Sequence, residues 1–398
     1  MKTRAITEII NACHASNDST IGEPNWIRKT GRPIVPVIDL SSAHEFLSTD
    51  DLERHYQDPL TSIRYGRDSS STALQVEYYL GAVYDRPAFL FDSGMSAISA
   101  ALEVAALRAN RVVVVGETYR KTEEQLRYMR DSGSLESLGH VDFETVKELS
   151  LDESTVILFE AMTNPHLRVA DLQLLRQIGE ASGSFLIVDA TLAGLDNAQA
   201  HFRNFDIVVH SATKYISGFN DVLAGVCWCR PELETSIWQA RSRRGGLLDP
   251  WSCYLLFRSL RTYDLRCVAQ RKNTEAILRA LQESRIVERI FYPGRFANAS
   301  QSDVFTKNFE HGGSLVSFLV DLPQSVAAHN FQRLQHVKTA PSFGSVDSLI
   351  EMPALMSHFG KTPAELESVG IQENLVRLSV GCEPLDMLLA DLDRLLRR

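Results

Sequence analysis

Lys214 stands in the run Asp206-Ile-Val-Val-His-Ser-Ala-Thr-Lys-Tyr-Ile-Ser-Gly218. Asp206 to His210 is rich in β-branched residues and bounded by polar ones, which predicts a short buried strand whose carboxyl end opens into a loop. Open α/β sheets place their ligands there. The loop supplies the hydroxyls of Ser211 and Thr213, one amine, and Gly218 for a tight bend, the parts needed to hold a phosphate beside an amine. A lone lysine is ordinarily a solvated surface charge. Two features argue against that default. The basic residues of this chain are mostly arginine, and upstream Phe185-Leu-Ile-Val-Asp-Ala-Thr191 reads as a second buried strand ending in the carboxylate of Asp189. An amine and an acid at adjacent strand ends suit pyridoxal phosphate: lysine carries the aldehyde as a Schiff base, and the acid keeps the pyridine nitrogen protonated so that the ring accepts electrons.

The elements that must position these groups follow from pattern. Phe89-Leu-Phe91 reads as a strand, after which Ser93-Gly94-Met95 opens a helix through Leu107; amides at such a helix start can take a phosphate, with Gly94 allowing close approach, although the same turn is common without any ligand. Arg111 to Gly116 is a buried strand leading to Tyr119, and Val156 to Glu160 another leading to Asn164-Pro165. Helical spacing covers Thr72–Val83 and Asp171–Ala181, so strand and helix alternate from residue 89 to 214, as a mainly parallel sheet requires. No G-x-G-x-x-G follows any strand, which weakens a nicotinamide reading. Val222 to Cys229 is strand-like. Arg241-Ser-Arg-Arg-Gly-Gly246 reads as a basic loop, either a solvated turn or part of a substrate mouth. Pro250 to Ser284 reads as one long helix, and Gly313–Val320, His336–Thr339 and Leu375–Val380 as strands of a capping α+β layer. Arg377 lies inside an apolar strand and needs a carboxylate, supplied either by an internal Asp or Glu or by a bound molecule.

With 398 residues and 44% hydrophobic content the chain can bury a large core, expected as two domains sharing one site, or as one large domain with a tail. A net charge of -9 argues against binding a phosphate backbone, and no apolar run reaches bilayer length. The opening residues lack a signal-peptide core, so the expected location is the cytoplasm, with neither nucleic acid nor membrane as a partner. Cys13, Cys227, Cys229, Cys253, Cys267 and Cys382 lack paired C-x-x-C spacing. They read as structural thiols rather than a metal site, because no His/Cys cluster completes a ligand set around Cys227 and Cys229.

Ser211-Ala-Thr-Lys-Tyr215, Asp189-Ala-Thr191, Ser93-Gly-Met95, Asn164-Pro165 and Val376-Arg-Leu-Ser-Val-Gly381 resemble, in the same order, the motifs of the cysteine and methionine metabolism family of pyridoxal phosphate enzymes. That family includes cystathionine γ-synthase, the cystathionine lyases and methionine γ-lyase. The resemblance implies an α/β fold of type I, aminotransferase-like, with an N-terminal arm (1–60), a large cofactor domain carrying a mainly parallel sheet of seven strands (61–250) and a smaller α+β domain (251–398). The arm would wrap a neighbouring subunit, a partly disordered tail being the plain alternative for a segment interrupted by Pro24, Pro33, Pro36 and Pro59. Lys214, Tyr119 and Asp189 would be catalytic, with Tyr119 stacking on the pyridine ring. Arg64, Ser93, Gly94, Met95, Tyr119, Asn164, Asp189, Thr191, Ser211, Thr213 and Lys214 would hold the cofactor, Arg64 reaching the phosphate of a neighbour in a tetramer built from dimers. Asn164, Ser342 and Arg377 would hold the substrate, with its α-carboxylate on Arg377.

The chain departs from the family pattern at several positions. Ser62 replaces a tyrosine, Arg67-Asp-Ser69 replaces Asn-Pro-Thr, Met162 replaces a proline, and Phe219 replaces a histidine. Pro341 replaces the glutamate that, in enzymes handling cystathionine, meets a distal amino group. The expected reaction is therefore γ-elimination from an L-amino acid with a small or apolar γ group, in a specialised relative. The alternatives are γ-replacement of the cystathionine γ-synthase or O-acylhomoserine sulfhydrylase type, β-elimination, and a non-catalytic descendant that keeps the fold.

Overall fold

The computed structural model describes residues 3–15, 33–295 and 298–397. The part of the expected arm that carries Pro24 lies outside the described residues. The chain divides into two compact units, one of Met1–Ala161, Leu172–Ser217 and Asp221–Thr262, the other of Met162–Asp171, Gly218–Asn220 and Tyr263–Arg398. The last crossing, at Thr262, falls beyond residue 250, where the sequence suggested a divide.

The first unit is built on seven strands: β1 (Ala88–Phe91), β2 (Arg111–Val115), β3 (Ser137–Val141), β4 (Thr155–Glu160), β5 (Phe185–Asp189), β6 (Ile207–Ser211) and β7 (Gly225–Cys229). They lie in the order β1-β7-β6-β5-β4-β2-β3. The run from β6 to β3 is parallel, and β7 runs antiparallel to both neighbours. β1, β4 and β7 are buried at every position, the pattern of strands covered on both faces, which is why they appear in the sequence as unbroken apolar runs. Helix α1 (Ser71–Tyr84) is capped by the Ser70 hydroxyl, which accepts the Ala73 amide, and α2 (Gly94–Ala106) is capped likewise by Ser93 through the Ser96 amide. One core joins α2 to the sheet, with Ile98, Ala101, Val104 and Ala105 packed among Val112, Leu158, Ile187 and Val209. Helix α3 (Arg120–Asp131) follows β2, and α4 (Leu172–Ser182) precedes β5.

Two readings of this stretch are corrected. The run from Arg241 is the last turn of helix α5 (Glu234–Arg244), closed by Gly245 at φ 70°, and not a loop. Arg241 shares the buried face of that helix with Ile237 and Ala240, so its charge meets Glu77 of α1 and not water. Arg241 also donates to the carbonyls of Leu90 at 3.0 Å and Asp68 at 3.2 Å, the hydrogen-bonded pairing a buried guanidinium requires. Arg243 and Arg244 behave as a solvated face should, both pairing with Glu103 near the surface. The expected single helix from Pro250 to Ser284 is two, α6 (Pro250–Leu260) and α7 (Tyr263–Glu283). Thr262 turns the chain between them: its amide and its hydroxyl both donate to the Ser259 carbonyl, at 3.1 and 3.0 Å, in place of continuing the helical ladder.

The second unit carries a five-stranded sheet in the order β10-β11-β12-β9-β8, antiparallel except for the β10 (Lys338–Thr339) and β11 (Leu349–Glu351) pair. Its other strands are β8 (Val287–Phe291), β9 (Leu315–Val320) and β12 (Leu375–Ser379), and β9 and β12 are buried throughout. Ile277, Leu278 and Leu281 of α7 pack with Val316, Phe318, Val376 and Leu378 in one core. Among the described residues no helix is long and apolar enough to cross a membrane.

Candidate active site

In the first unit β5 and β6 run side by side and parallel, so Asp189 ends one strand as Ser211 ends the next and Lys214 follows in the turn. Thr191 links the two ends. Its hydroxyl donates to Asp189 Oδ1 at 2.5 Å and accepts the Ser211 amide at 2.8 Å, and its own amide donates to the same Oδ1 at 2.9 Å. Lys214 is placed by a turn in which its amide donates to the Ser211 carbonyl at 3.1 Å. Thr213 is turned to Ala224: its hydroxyl accepts the Ala224 amide at 2.9 Å and donates to the Ala224 carbonyl at 3.2 Å, so it closes the base of the lysine loop.

The start of α2 comes to the same place. A Cβ on Gly94 would lie 2.9 Å from Ser211 Cβ and 3.0 Å from Ser211 Oγ, so only glycine lets the helix start meet the strand end. A Cβ on Gly225 would meet the Ser93 carbonyl oxygen at 2.2 Å, fixing the other flank of that turn. The first amides of α2, those of Gly94 and Met95, have no preceding turn of helix to bond to, and the macrodipole adds positive potential there. The structure thus brings Ser93, Gly94, Met95, Asp189, Thr191, Ser211 and Lys214 to the carboxyl end of the sheet.

These residues fit pyridoxal phosphate. Asp189 keeps some exposed surface at the strand end, yet loss of hydration pushes its carboxyl above the usual range, opposed by the two Thr191 bonds. Among the described residues no cation stands among the groups that shift it. A protonated ring nitrogen is the counter-charge such a carboxylate lacks, and a helix N-terminus beside it accepts a phosphate.

Tyr119 is the residue before α3 and is 53% exposed. Its amide donates to Glu160 Oε1 at 2.5 Å. Arg64 is half-exposed, 3.5 Å from Asp68 Oδ2 and with its guanidinium over the Tyr56 ring. Ser62, at the position where a tyrosine was expected, hydrogen-bonds the buried His55 Nδ1 at 2.9 Å.

In the second unit Asn164, Ser342 and Arg377 meet. Arg377 Nη1 donates to Asn164 Oδ1 at 3.1 Å, and Nη2 donates to the Ser342 carbonyl at 3.1 Å, with the Phe343 ring beside the guanidinium. Ser342 holds φ 95°, an uncommon conformation for a residue with a side chain. The carboxylate that Arg377 requires is present as Glu351, its direct cross-strand neighbour, at 3.0 Å. Arg377 is 5% and Glu351 1% exposed, so this is an internal pair, and Glu351 Oε2 is buried with no hydrogen-bond partner among the described residues.

Sequence reasoning gave no role to Thr191 as a bridge, to Glu160 or to Glu351. The only signal for Glu351 was the demand of Arg377 for an anion; β11 is three residues long and too short for periodicity to mark.

A family model described as Cys/Met metabolism PLP-dependent enzyme matches residues 23–397. Cystathionine gamma-synthase 1, chloroplastic, of Nicotiana tabacum is 31% identical over 377 residues, covering 92% of this chain and 69% of its own length. Cystathionine beta-lyase of Lactococcus lactis is 33% identical over 316 residues, covering 78% and 82%. The solved structure of cystathionine gamma-lyase from Lactobacillus plantarum, complexed with L-serine, aligns with a TM-score of 0.84 at 26% identity over 98% of each chain. The three relatives carry the names of three reactions, so the comparison reaches the family and its chemistry of lyases and transferases. The chain belongs to the Cys/Met metabolism family of pyridoxal-phosphate-dependent enzymes.

Proposed function

We propose that this enzyme catalyses γ-elimination from an L-amino acid whose γ group is small or apolar. The observation that carries the choice is Pro341, immediately before the Ser342-Phe343-Gly344 turn on which Arg377 rests. A proline there has neither a charge nor a side-chain donor for a distal amino group, which disfavours cystathionine. Supporting the family chemistry are Asp189 and Lys214 at neighbouring strand ends.

When bound, pyridoxal phosphate supplies an electron sink for charge developing at the substrate Cα. Asp189 holds the negative charge that favours a protonated ring nitrogen. The Lys214 amine takes the Cα proton and passes it on; a second proton then leaves Cβ, its electron pair expels the γ group, and Tyr119 or Lys214 is the acid that meets that group. In this reading Arg377, whose charge Glu351 already balances, is shared with the substrate α-carboxylate, and Asn164 fixes its guanidinium. The first-turn amides of α2 and the Ser211 hydroxyl hold the phosphate. Arg64 serves the phosphate of a neighbouring subunit, so the smallest active unit is a dimer and the assembly a tetramer of two dimers, working in the cytoplasm; an active monomer in sedimentation refutes that assignment.

The second reading is γ-replacement on an activated homoserine, the class of reaction named by the tobacco synthase that aligns over 377 residues. One screen separates them. The purified enzyme is incubated with methionine, cystathionine and activated homoserines, with and without a thiol. Ammonia and a 2-oxo acid mark elimination; a new amino acid mark replacement. Borohydride reduction followed by peptide mass spectrometry should find the cofactor on Lys214, and Lys214→Ala should lose the visible band. A label elsewhere, or a protein that takes no colour from added cofactor, refutes the catalytic reading and leaves the non-catalytic descendant.

A further inference from the structure

Glu160 closes β4 and is 8% exposed, directly in register with Asp189 of β5. Its Oε1 accepts the Tyr119 amide at 2.5 Å and lies 3.5 Å from the Thr118 hydroxyl. On the other side the Tyr119 carbonyl accepts the Glu123 amide at 3.1 Å, so the backbone of Tyr119 is held at both ends. Tyr119 is the residue that enters α3, and no side chain of its own caps that helix. The residue as a whole is more than half exposed. The tie on the backbone therefore fixes where the side chain starts and the direction of its Cα–Cβ bond.

A carboxyl in this position faces a problem that Asp189 sharpens. Burial first, then the neighbouring Asp189 and, more weakly, Glu117 push the Glu160 carboxyl well above its usual range, while the Tyr119 amide pulls the other way. Two ionised carboxylates at adjacent strand ends would compete for one cation. A neutral Glu160 leaves Asp189 as the anion offered to a ring nitrogen and still accepts a hydrogen bond through its carbonyl oxygen.

We propose that Glu160 is a positioning residue, which sets the place of the Tyr119 phenol over the cofactor by holding the Tyr119 amide from the neighbouring strand. The inference rests on the reading that Tyr119 covers the cofactor ring. Its chemistry makes a specific demand: an acceptor oxygen at the Oε1 position is required, and a negative charge is not.

Nitration of Tyr119 by tetranitromethane, followed by peptide mass spectrometry on cofactor-free protein with and without added pyridoxal phosphate, tests this without turnover. In the wild type and in Glu160→Gln, whose amide oxygen can accept the same bond, the cofactor should slow nitration severalfold. Glu160→Asp withdraws the oxygen by one methylene, and Glu160→Met fills the volume with no oxygen; either should lose the protection while still taking up cofactor colour. In turnover, these two should lose about a hundredfold in kcat at little change in KM, with Glu160→Gln retaining most of the rate. Having both keeps the test open if one fails to fold. Protection and kcat in Glu160→Asp or Glu160→Met equal to the wild type overturn the proposal, as does a Glu160→Gln that behaves like them. A wild type that takes up colour yet leaves Tyr119 unprotected also overturns it, by removing the stacking on which it rests; that outcome is told apart from a Glu160 failure because no variant is needed to see it.

Discussion

Thr191→Val tests whether one hydroxyl joins the acid to the strand that leads to the lysine. Valine keeps the volume and the β-branch and removes one donor and one acceptor. Asp189 Oδ1 then keeps the Thr191 amide at 2.9 Å and loses the hydroxyl at 2.5 Å, while the Ser211 amide loses its acceptor at 2.8 Å. A hydrogen bond to a charged group contributes about 1.5–3 kcal/mol, and an orphaned donor costs about 1–3 kcal/mol. Access of water to the partly exposed Asp189 offsets part of this, so about 3 kcal/mol is expected as a lower urea midpoint at unchanged slope in the cofactor-free protein. With one donor gone, the ionised form of Asp189 is less favoured. Affinity for pyridoxal phosphate should fall about 10–100-fold, read from the visible band during titration. Thr191→Ser retains the hydroxyl and should recover most of both losses. A valine variant with the wild-type midpoint and cofactor affinity, or a serine variant as impaired as the valine, refutes the bridging role.

Three further outcomes follow from features away from that bridge. Gly218→Ala puts a Cβ 1.9 Å from Arg266 Nη1 at φ +70°, and should lower stability by about 2 kcal/mol or more, checked by denaturant unfolding; a loss within error would mean Arg266 moves aside freely. Arg241→Met leaves Glu77 buried without its cation and should cost about 3–5 kcal/mol, whereas the double variant Arg241→Met with Glu77→Gln, which removes the charge and keeps an acceptor for the Leu90 amide, should recover much of it; equal instability of the two would show that the unpaired charge is not the source of the loss. His210 is fully buried and loss of hydration pushes its imidazole down to about 3. Its unfolded value is about 6.5, so between these the unfolded chain binds a proton that the folded protein does not, and the contribution of a neutral His210, complete above the unfolded value, is lost as pH falls toward about 3. The urea midpoint of cofactor-free His210→Gln should fall less steeply with acid than that of the wild type; parallel curves would rule out His210 as a source of acid sensitivity.

Much of the large unit was legible because its strands are covered on both faces and so appear as apolar runs: Val112–Val115, Val156–Phe159 and Ile207–Val209 each sit within a residue of where pattern placed them. The edge strand β3, Ser137-Leu-Gly-His-Val141, was not found, since it pairs on one side only and carries a glycine and an exposed histidine in place of an apolar run. β8 was missed for a related reason: Glu288 and Arg289 lie at a register shift on the sheet's edge and are exposed. Arg241 shows the opposite failure. A cluster of arginines suggests solvent, and only the three-dimensional partner, 164 residues away at Glu77, shows that one of them is interior. At the site, residue types announced Lys214 and Asp189. The geometry that ties them together runs through Thr191, whose importance lies in accepting from one strand and donating to the next, a relation no linear spacing encodes.

The clasp between Thr213 and Ala224 has a consequence for how the chain could be opened. Backbone and hydroxyl together give three hydrogen bonds that pin the two feet of the excursion from Lys214 to Leu223 to each other, between the end of β6 and the start of β7. The span above that pin includes exposed Phe219, Asn220 and Leu223. A break in the polypeptide there would leave the backbone of Lys214 rooted, because the bonds at Ser211, Thr213 and Ala224 do not depend on an unbroken path around the tip.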